Sequence, residues 1–262
     1  MRSINTHSIA ALGLLLSVSI TGSLWSQKPS SQKPKPRAKQ RNPSLRTVTD
    51  DPKLPRVLLI GDSISIGYTL PVRKQLQGVA NVHRPPTNCG PTTRGIQQID
   101  LWIGQQTWDV IHFNWGLHDL KYLGPNGENL ADPKLKTSRQ QVPVEDYERN
   151  MRKLVARLLK TRAKLIWCPT TPVPPGVKGR VVGDSARYNA IALKVMQEHK
   201  IAVDDLYAFS KPRLKSIQRP ANVHFTAAGS QALGEQVAQS IRQALASRST
   251  AGSPGDKTDQ DR

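Results

Sequence analysis

A serine between a predicted strand and a predicted helix is the first residue whose position suggests chemistry. Residues 56–60 form a short apolar run that predicts a strand buried on both faces, and Gly61, Asp62 and Ser63 follow it directly. A hydroxyl in such a turn lies at the mouth of a sheet beside backbone N–H groups, which suits a nucleophile with an oxyanion donor. The same serine could equally be an ordinary helix N-cap, so this block alone leaves both interpretations open.

A histidine near the other end of the chain offers the base that a serine nucleophile needs. His224 lies in the block VHFTAAG at 223–229, directly before the last predicted helix, in a loop that can return to the first strand. A serine and its imidazole base act through space and need not be near in sequence. A lone histidine in such a loop is usually structural, but together with Ser63 it indicates a serine hydrolase.

Short apolar strands alternate with amphipathic helices between these two residues. Strands are predicted at 56–60, 79–83, 108–114, 164–168 and 201–204, and helices at 67–76, 94–103, 147–159, 185–199 and 227–246. Pro71 is compatible with its helix only in the first turn, and the polar stretch at 121–143 is expected to be a loop. This order predicts an α/β fold, a three-layer α/β/α sandwich around a central, mostly parallel five-stranded sheet. Chemistry in such sheets gathers at the carboxyl ends of the strands.

Four short blocks, each after a predicted strand and in the same order along the chain, resemble the motifs of the SGNH hydrolases, also called GDSL esterases and lipases. The blocks are GDS at 61–63, NCGPTT at 88–93, GLHD at 116–119 and VHFT at 223–226, followed by Gly229. The resemblance covers about residues 56–246. It implies Ser63 as nucleophile, His224 as base, and an oxyanion hole formed by the N–H groups of Ser63 and Gly90 with His118. This chemistry needs no metal and no organic cofactor.

Two positions depart from the family pattern. His118 stands where the family has its oxyanion asparagine; a neutral imidazole can donate one N–H, but the ring could also only pack or cap, and Asn114 is a spare donor nearby. Ala221 stands where the family usually has an acid. Asn222 could orient His224 through its side-chain oxygen, and a backbone carbonyl is the other candidate. Because Asp to Asn costs roughly 10⁴-fold in one triad protease, an inactive family member stays open.

Other residues that could bind a metal, form a disulfide or contact a sugar carry weaker signals. Cys89 and Cys168 both follow strands and could pair in an exported protein, but spacing does not give their distance. Trp115 is the one tryptophan placed to form a wall for a sugar ring. No ligand spacing such as H-x-x-x-H connects three further histidines, which favours core or surface roles over a metal site: His83, His112 and His199.

The two ends of the chain are predicted to lie outside the fold. Residues 1–26 combine a short positive start with a modest apolar run, which predicts a signal peptide or an uncleaved anchor. Residues 27–50 are rich in Pro, Lys and Ser and predict a disordered tether, and 247–262 predict a disordered tail. Residues 51–246 then form one hydrolase-like domain, and the protein is expected to be exported, as a periplasmic, secreted or membrane-tethered protein.

The net charge raises the question of an anionic partner. The 262 residues carry 38 Lys plus Arg against 19 Asp plus Glu, a formal net charge of +19. The first fifty residues hold eight basic residues and one acid, so residues 51–262 hold 30 and 18, a net of +12. The densest basic run, at 149–164, falls on the polar face of a helix, where a solvated surface is the simpler interpretation. The tether could contact an anionic surface, and no specific nucleic acid is expected.

These features together predict an exported serine esterase that hydrolyses a short-chain carboxylic ester, such as an O-acetyl group on a carbohydrate. Few aromatic residues and the polar stretch at 121–143 favour this substrate over a long lipid. Three alternatives stay open: a lipase or thioesterase of the same family, an inactive glycan-binding protein with this fold, and a polyanion-binding protein that acts through its basic arms.

Overall fold

A parallel sheet forms the centre of the molecule. The computed structural model describes residues 42–249, so the predicted signal peptide, most of the tether and most of the tail lie outside the described residues. The strands are β1 (Arg56–Ile60), β2 (Asn81–His83), β3 (Val110–Phe113), β4 (Tyr122–Leu123), β5 (Arg139–Gln140), β6 (Lys164–Trp167) and β7 (Ala202–Val203). Five of them pair in parallel in the order β2-β1-β3-β6-β7. The other two, β4 and β5, form an antiparallel pair within the stretch predicted as a loop.

Two groups of helices cover the sheet. The helices are α1 (Ser63–Gln75), α2 (Thr92–Ile103), α3 (Val144–Leu159), α4 (Asp184–Glu198), α5 (Leu206–Ser210), α6 (Leu214–Ile217) and α7 (Ala227–Ser249), with 3-10 turns at Pro43–Leu45 and Lys211–Arg213. Helix α1 packs against α7, while α3 packs between α2 and α4. Because the strand order reverses at β1, right-handed crossovers place these two groups on opposite faces. The predicted three-layer α/β/α sandwich is confirmed.

The hydrophobic core follows from this layering. All four residues of β3 and four of the five in β1 are buried, as expected for central strands that are covered on both faces. Helix α3 buries one apolar face and turns its basic face to solvent. Three arginines of that basic face are held in ion pairs: Arg149 with Asp146, Arg152 with Glu148 and Glu198, and Arg157 with Asp100.

Helix α1 differs most from its predicted bounds. The sequence predicts a start at Gly67 with Pro71 only in a first turn, whereas the helix begins at Ser63 and contains Pro71 in its interior. The expectation is wrong because Asp62 caps the helix earlier, and its Oδ1 accepts a first-turn backbone N–H at 2.9 Å. The Pro71 ring packs against Gly234 of α7. A Cβ at position 234 would overlap that ring, so the glycine makes room for the proline.

The folded domain begins earlier and ends later than predicted. Residues 42–50, assigned from the sequence to the tether, contain the 3-10 turn at Pro43–Leu45 and pack against the domain. The Arg73 guanidinium of α1 donates to two backbone carbonyls of this segment. The predicted start at residue 51 is therefore wrong, because side-chain donors from α1 hold a segment that has few apolar residues of its own. At the other end, α7 continues to Ser249.

Gly229 allows the first turn of α7 to approach the end of α6. A Cβ here would overlap the carbonyl oxygen of Ile217, which also accepts hydrogen bonds from Thr226 N–H at 2.9 Å and Oγ–H at 3.1 Å. We expect Gly229→Ala to lower the free energy of unfolding by about 2–4 kcal/mol, because the Ile217 backbone must shift. Urea denaturation measures the loss. Gly67→Ala is the control: its Cβ meets only the Ser230 side chain, with Oγ nearest at 3.2 Å, so equal losses in both variants would contradict this explanation.

Candidate active site

Ser63 is the first residue of α1 and follows the carboxyl end of β1, where the strand order reverses. Ligands of open α/β sheets bind at such switch points. Asp62, and not Ser63, caps the helix, so the N-cap interpretation of the serine is wrong. The backbone N–H of Ser63 has no acceptor among residues 42–249. The turn therefore offers a hydroxyl and an unused donor at the positive end of a helix dipole.

The structure brings Ser63 and His224 together. His224 Nε2 lies 2.9 Å from Ser63 Oγ. On the other side of the ring, Nδ1 lies 2.8 Å from Asn222 Oδ1, and the same oxygen accepts the backbone N–H of His224 at 2.9 Å. An amide oxygen can only accept, so Nδ1 carries the proton and Nε2 is left to accept one from the serine. The sequence left two candidates for the group that faces Nδ1, the Asn222 side chain and a backbone carbonyl. In the structure the Asn222 side chain lies there.

Backbone contacts hold the histidine loop in place. Arg219 N–H donates to the His224 carbonyl at 2.9 Å, and the buried Gln218 side chain donates to the carbonyl of Val223 at 3.1 Å. Ala221, at the position of the family's acid, has a φ of +47°. A left-handed residue other than glycine costs about 1–2 kcal/mol, so the surrounding contacts must maintain this conformation. The loop thus presents the ring to Ser63 from a tightly hydrogen-bonded turn.

The surroundings of His224 favour its neutral form. Partial burial lowers the pKa of His224, and the positive charges of Arg219 and Arg180 lower it further, against an opposing effect of Asp62. Arg180 lies here although no sequence motif indicated it, and its Nε donates to the carbonyl of Leu117 at 3.0 Å. A base must be neutral to accept a proton, so the lowered pKa extends the active form of the imidazole to lower pH.

The predicted oxyanion donor Gly90 is already engaged in a hydrogen bond. Its N–H donates to Asn88 Oδ1 at 2.9 Å, in a turn whose φ of +62° favours glycine. The spare donor Asn114 is also engaged, because its buried side chain donates to the carbonyl of Cys168 at 2.7 Å. The Asn114 side chain therefore joins β3 to the loop after β6. An oxyanion could use Gly90 only after the Asn88 side chain has moved away.

His118 is half-buried, and its ring has no hydrogen-bond partner within residues 42–249. Burial lowers the pKa of His118, and the nearby charges of Lys121, Arg180 and His224 act in the same direction, against Asp62. The ring is thus within electrostatic range of both Asp62 and His224. A neutral imidazole here has one N–H free to donate.

A buried arginine that the sequence did not single out supports the turn that carries Ser63. Arg84 is only 8% exposed and donates to the Gly61 carbonyl at 3.2 Å, to Ser65 Oγ at 3.1 Å and to Thr69 Oγ1 at 2.9 Å. These contacts tie the segment after β2 to the start of α1. The available signal was an arginine directly after an apolar strand, which periodicity does not distinguish from a surface residue.

Within residues 42–249, the structure does not contain the disulfide or the sugar-facing tryptophan that the sequence left open. Cys89 and Cys168 are both free thiols, and burial raises the pKa of Cys89 to about 11, which leaves that thiol a poor nucleophile. The expectation that Trp115 forms a wall for a sugar ring is wrong, because its side chain is 0% exposed. Its ring packs against Gly95 of α2, so it belongs to the core.

The remaining histidines lie apart from one another. His83 Nε2 is 2.5 Å from Asp50 Oδ1 at the sheet edge, and His112 Nε2 is 3.0 Å from Asp204 Oδ2 inside the core. His199 caps the end of α4. Within the described part of the chain, no three His, Cys, Asp or Glu side chains are grouped as a metal would require.

Comparison with known proteins gives the family. The profile of the GDSL-like lipase/acylhydrolase family matches residues 59–232. The chain therefore belongs to this family and is an ester hydrolase, as the sequence motifs predicted. No curated protein sequence matches the chain.

Several solved structures share the fold. An acetyl xylan esterase, AlAXEase, is 14% identical with a TM-score of 0.55, covering 71% of this chain and 99% of its own. The lipase/acylhydrolase from Enterococcus faecalis is 16% identical with a TM-score of 0.59, covering 72% and 96%. The acetylxylan esterase Axe2 from Geobacillus stearothermophilus is 18% identical with a TM-score of 0.57, covering 71% and 94%. At identities this low, the structural likeness shows a common fold, and the substrate must be argued from the chemistry of the site.

Proposed function

We propose that this ester hydrolase cleaves a short-chain carboxylic ester, an O-acetyl group or similar small acyl group on a carbohydrate, through Ser63 and His224. The observation that carries the proposal is the 2.9 Å contact between Ser63 Oγ and His224 Nε2, with the opposite ring nitrogen held by Asn222. The acetyl xylan esterases among the structures with this fold support a carbohydrate ester as the substrate.

The reaction proceeds through an acyl-enzyme. Ser63 Oγ bonds to the carbonyl carbon as its proton passes to His224 Nε2, and the carbonyl electrons move onto the oxygen. The imidazolium then gives that proton to the leaving alkoxide, the C–O bond breaks, and the acyl group remains on Ser63. Water attacks the acyl-enzyme while its proton goes to His224, and Ser63 leaves with that proton. The sum is ester plus water to acid plus alcohol.

Three donors stabilise the oxyanion in this mechanism. The Ser63 N–H and the neutral His118 ring are unused, and the Gly90 N–H joins them when Asn88 swings away. Loss of one such donor typically costs about 10²–10³-fold in kcat. Neutral His118 thus takes the place of an asparagine, because its single N–H, like one N–H of an asparagine amide, donates to the oxyanion without a charge that would perturb His224.

Export is part of the proposal. It rests on the apolar run predicted as a leader at 1–26, and an exported esterase would meet polysaccharides outside the cell membrane. No helix between residues 42 and 249 is long and apolar enough to cross a bilayer.

The acyl preference is tested with the purified full-length protein and a series of p-nitrophenyl esters from acetate to palmitate. We expect kcat/KM to be highest for acetate and to fall by about tenfold or more by octanoate, and we expect a fluorophosphonate probe to label Ser63. A preference for palmitate would indicate a lipase, and one for acyl thioesters a thioesterase. Absence of both turnover and labelling would favour the inactive glycan-binding protein.

A further inference from the structure

A basic groove runs beside the loop that carries His224. Its volume is about 740 Å³, within the usual range for ligand sites. Pro174 and Pro175 form one wall, and the segment 211–221 forms the other. The described lining includes no acidic residue, and it contains four cations: Lys211, Arg213, Lys215 and Arg219.

One end of this groove reaches the catalytic loop. Arg219 lines the groove, and its backbone N–H donates to the carbonyl of His224 at 2.9 Å. Ala221 also lines it and directly precedes Asn222, whose side chain holds the histidine ring. A chain lying in the groove would therefore pass beside the residues that position His224.

The cations of the groove are not neutralised. Within residues 42–249 none of the four has a carboxylate partner, whereas the arginines on the solvent face of α3 are in ion pairs. Aromatic rings support two of them instead: the Arg213 guanidinium lies 4.5 Å from the Phe209 ring centre, and Lys211 Nζ lies 5.7 Å from that of Tyr207. The groove thus keeps its positive charge while two of its cations are held in place.

We propose that this groove binds an anionic polysaccharide, one that carries carboxylate or sulfate groups, and that the ester cleaved at Ser63 lies on that chain. The inference rests on the proposed function. Four cations within 211–219 match a ligand with repeated negative charges, and the prolines provide a stiff wall that needs little ordering on binding. A nucleic acid would offer similar charge but no carboxylic ester for Ser63, so the site next to the groove favours a glycan.

The test measures binding separately from turnover. Full-length Ser63→Ala protein is titrated at 0.15 M salt with polygalacturonate, dextran sulfate, uncharged dextran and duplex DNA. Lys211→Gln with Lys215→Gln removes two groove charges, and Lys153→Gln with Lys194→Gln removes two exposed charges from α3 and α4 as the matched control. We expect the groove variant to raise Kd for a charged glycan by about tenfold and the control variant to change it less than twofold. The two charged glycans distinguish carboxylate from sulfate as the recognised group.

Three results would overturn the proposal: equal losses in the groove and control variants, equal affinity for uncharged dextran, or binding of DNA as tight as that of either charged glycan. The binding and the esterase assays fail independently. Groove-dependent binding without turnover in the wild type would keep the groove and reject the esterase. Turnover of small esters without groove-dependent binding would keep the esterase and reject the groove as a binding site.

Discussion

Ser63→Ala is expected to lower kcat/KM for p-nitrophenyl acetate by at least about 10⁴-fold while leaving the fold intact. The hydroxyl is the atom that forms the acyl bond, and loss of the nucleophile in a comparable protease costs about 10⁶-fold in kcat. Alanine is the best helix former, and the cap comes from Asp62, so the first turn of α1 is retained. The serine side chain contacts only the His224 ring among the hydrogen bonds of the described residues.

The comparison that isolates this effect uses a second serine. Ser230→Ala removes a hydroxyl from α7 that has no hydrogen-bond partner within residues 42–249, and it should keep full activity. Circular dichroism and the urea midpoint should match the wild type for both variants. Activity in the Ser63→Ala variant near that of the wild type, or fluorophosphonate labelling of another serine, would assign the nucleophile elsewhere.

The fold and the serine–histidine pair were predictable because their signals are local or repeated. Apolar strands alternating with amphipathic helices fix an α/β order, and the carboxyl ends of parallel strands meet at one edge. A serine after β1 and a histidine before α7 are therefore expected to lie near each other. Their contact at 2.9 Å agrees with that expectation.

The parts of the site that the sequence did not predict depend on loops and side-chain conformations. Arg180 and Arg84 follow strands or turns without periodicity, so nothing in the sequence separated them from surface cations. The bond from Gly90 to Asn88 depends on one side-chain rotamer. The 3-10 turn at Lys211–Arg213 and helix α6 are too short to show an apolar face, so the sequence did not predict the groove that they line.

Asn222 gives the strongest test of how this site works without a carboxylate. Its oxygen fixes the ring of His224 but carries no charge to stabilise the imidazolium that forms in each step. We expect Asn222→Asp to raise kcat/KM at pH 8 by about 10–10²-fold, since the reverse change in one triad protease costs roughly 10⁴-fold. Asn222→Ala should lower it by about 10²-fold, because Nδ1 loses its acceptor and the ring can rotate away from Ser63.

The pH profile separates the charge of residue 222 from its orienting role. A carboxylate next to Nδ1 favours the protonated ring, so in Asn222→Asp the pKa of His224 rises above its present, lowered value. Activity requires the neutral ring, so the midpoint of the pH–activity curve should lie at higher pH in Asn222→Asp than in the wild type. The expected increase in kcat/KM should be seen only above that midpoint. Asn42→Asp adds the same charge at an exposed helix cap and should leave the profile unchanged. A gain in rate for Asn222→Asp without an upward shift of the midpoint would show that the added charge does not cause the gain. Full activity in Asn222→Ala would show that a group other than this side chain holds the ring.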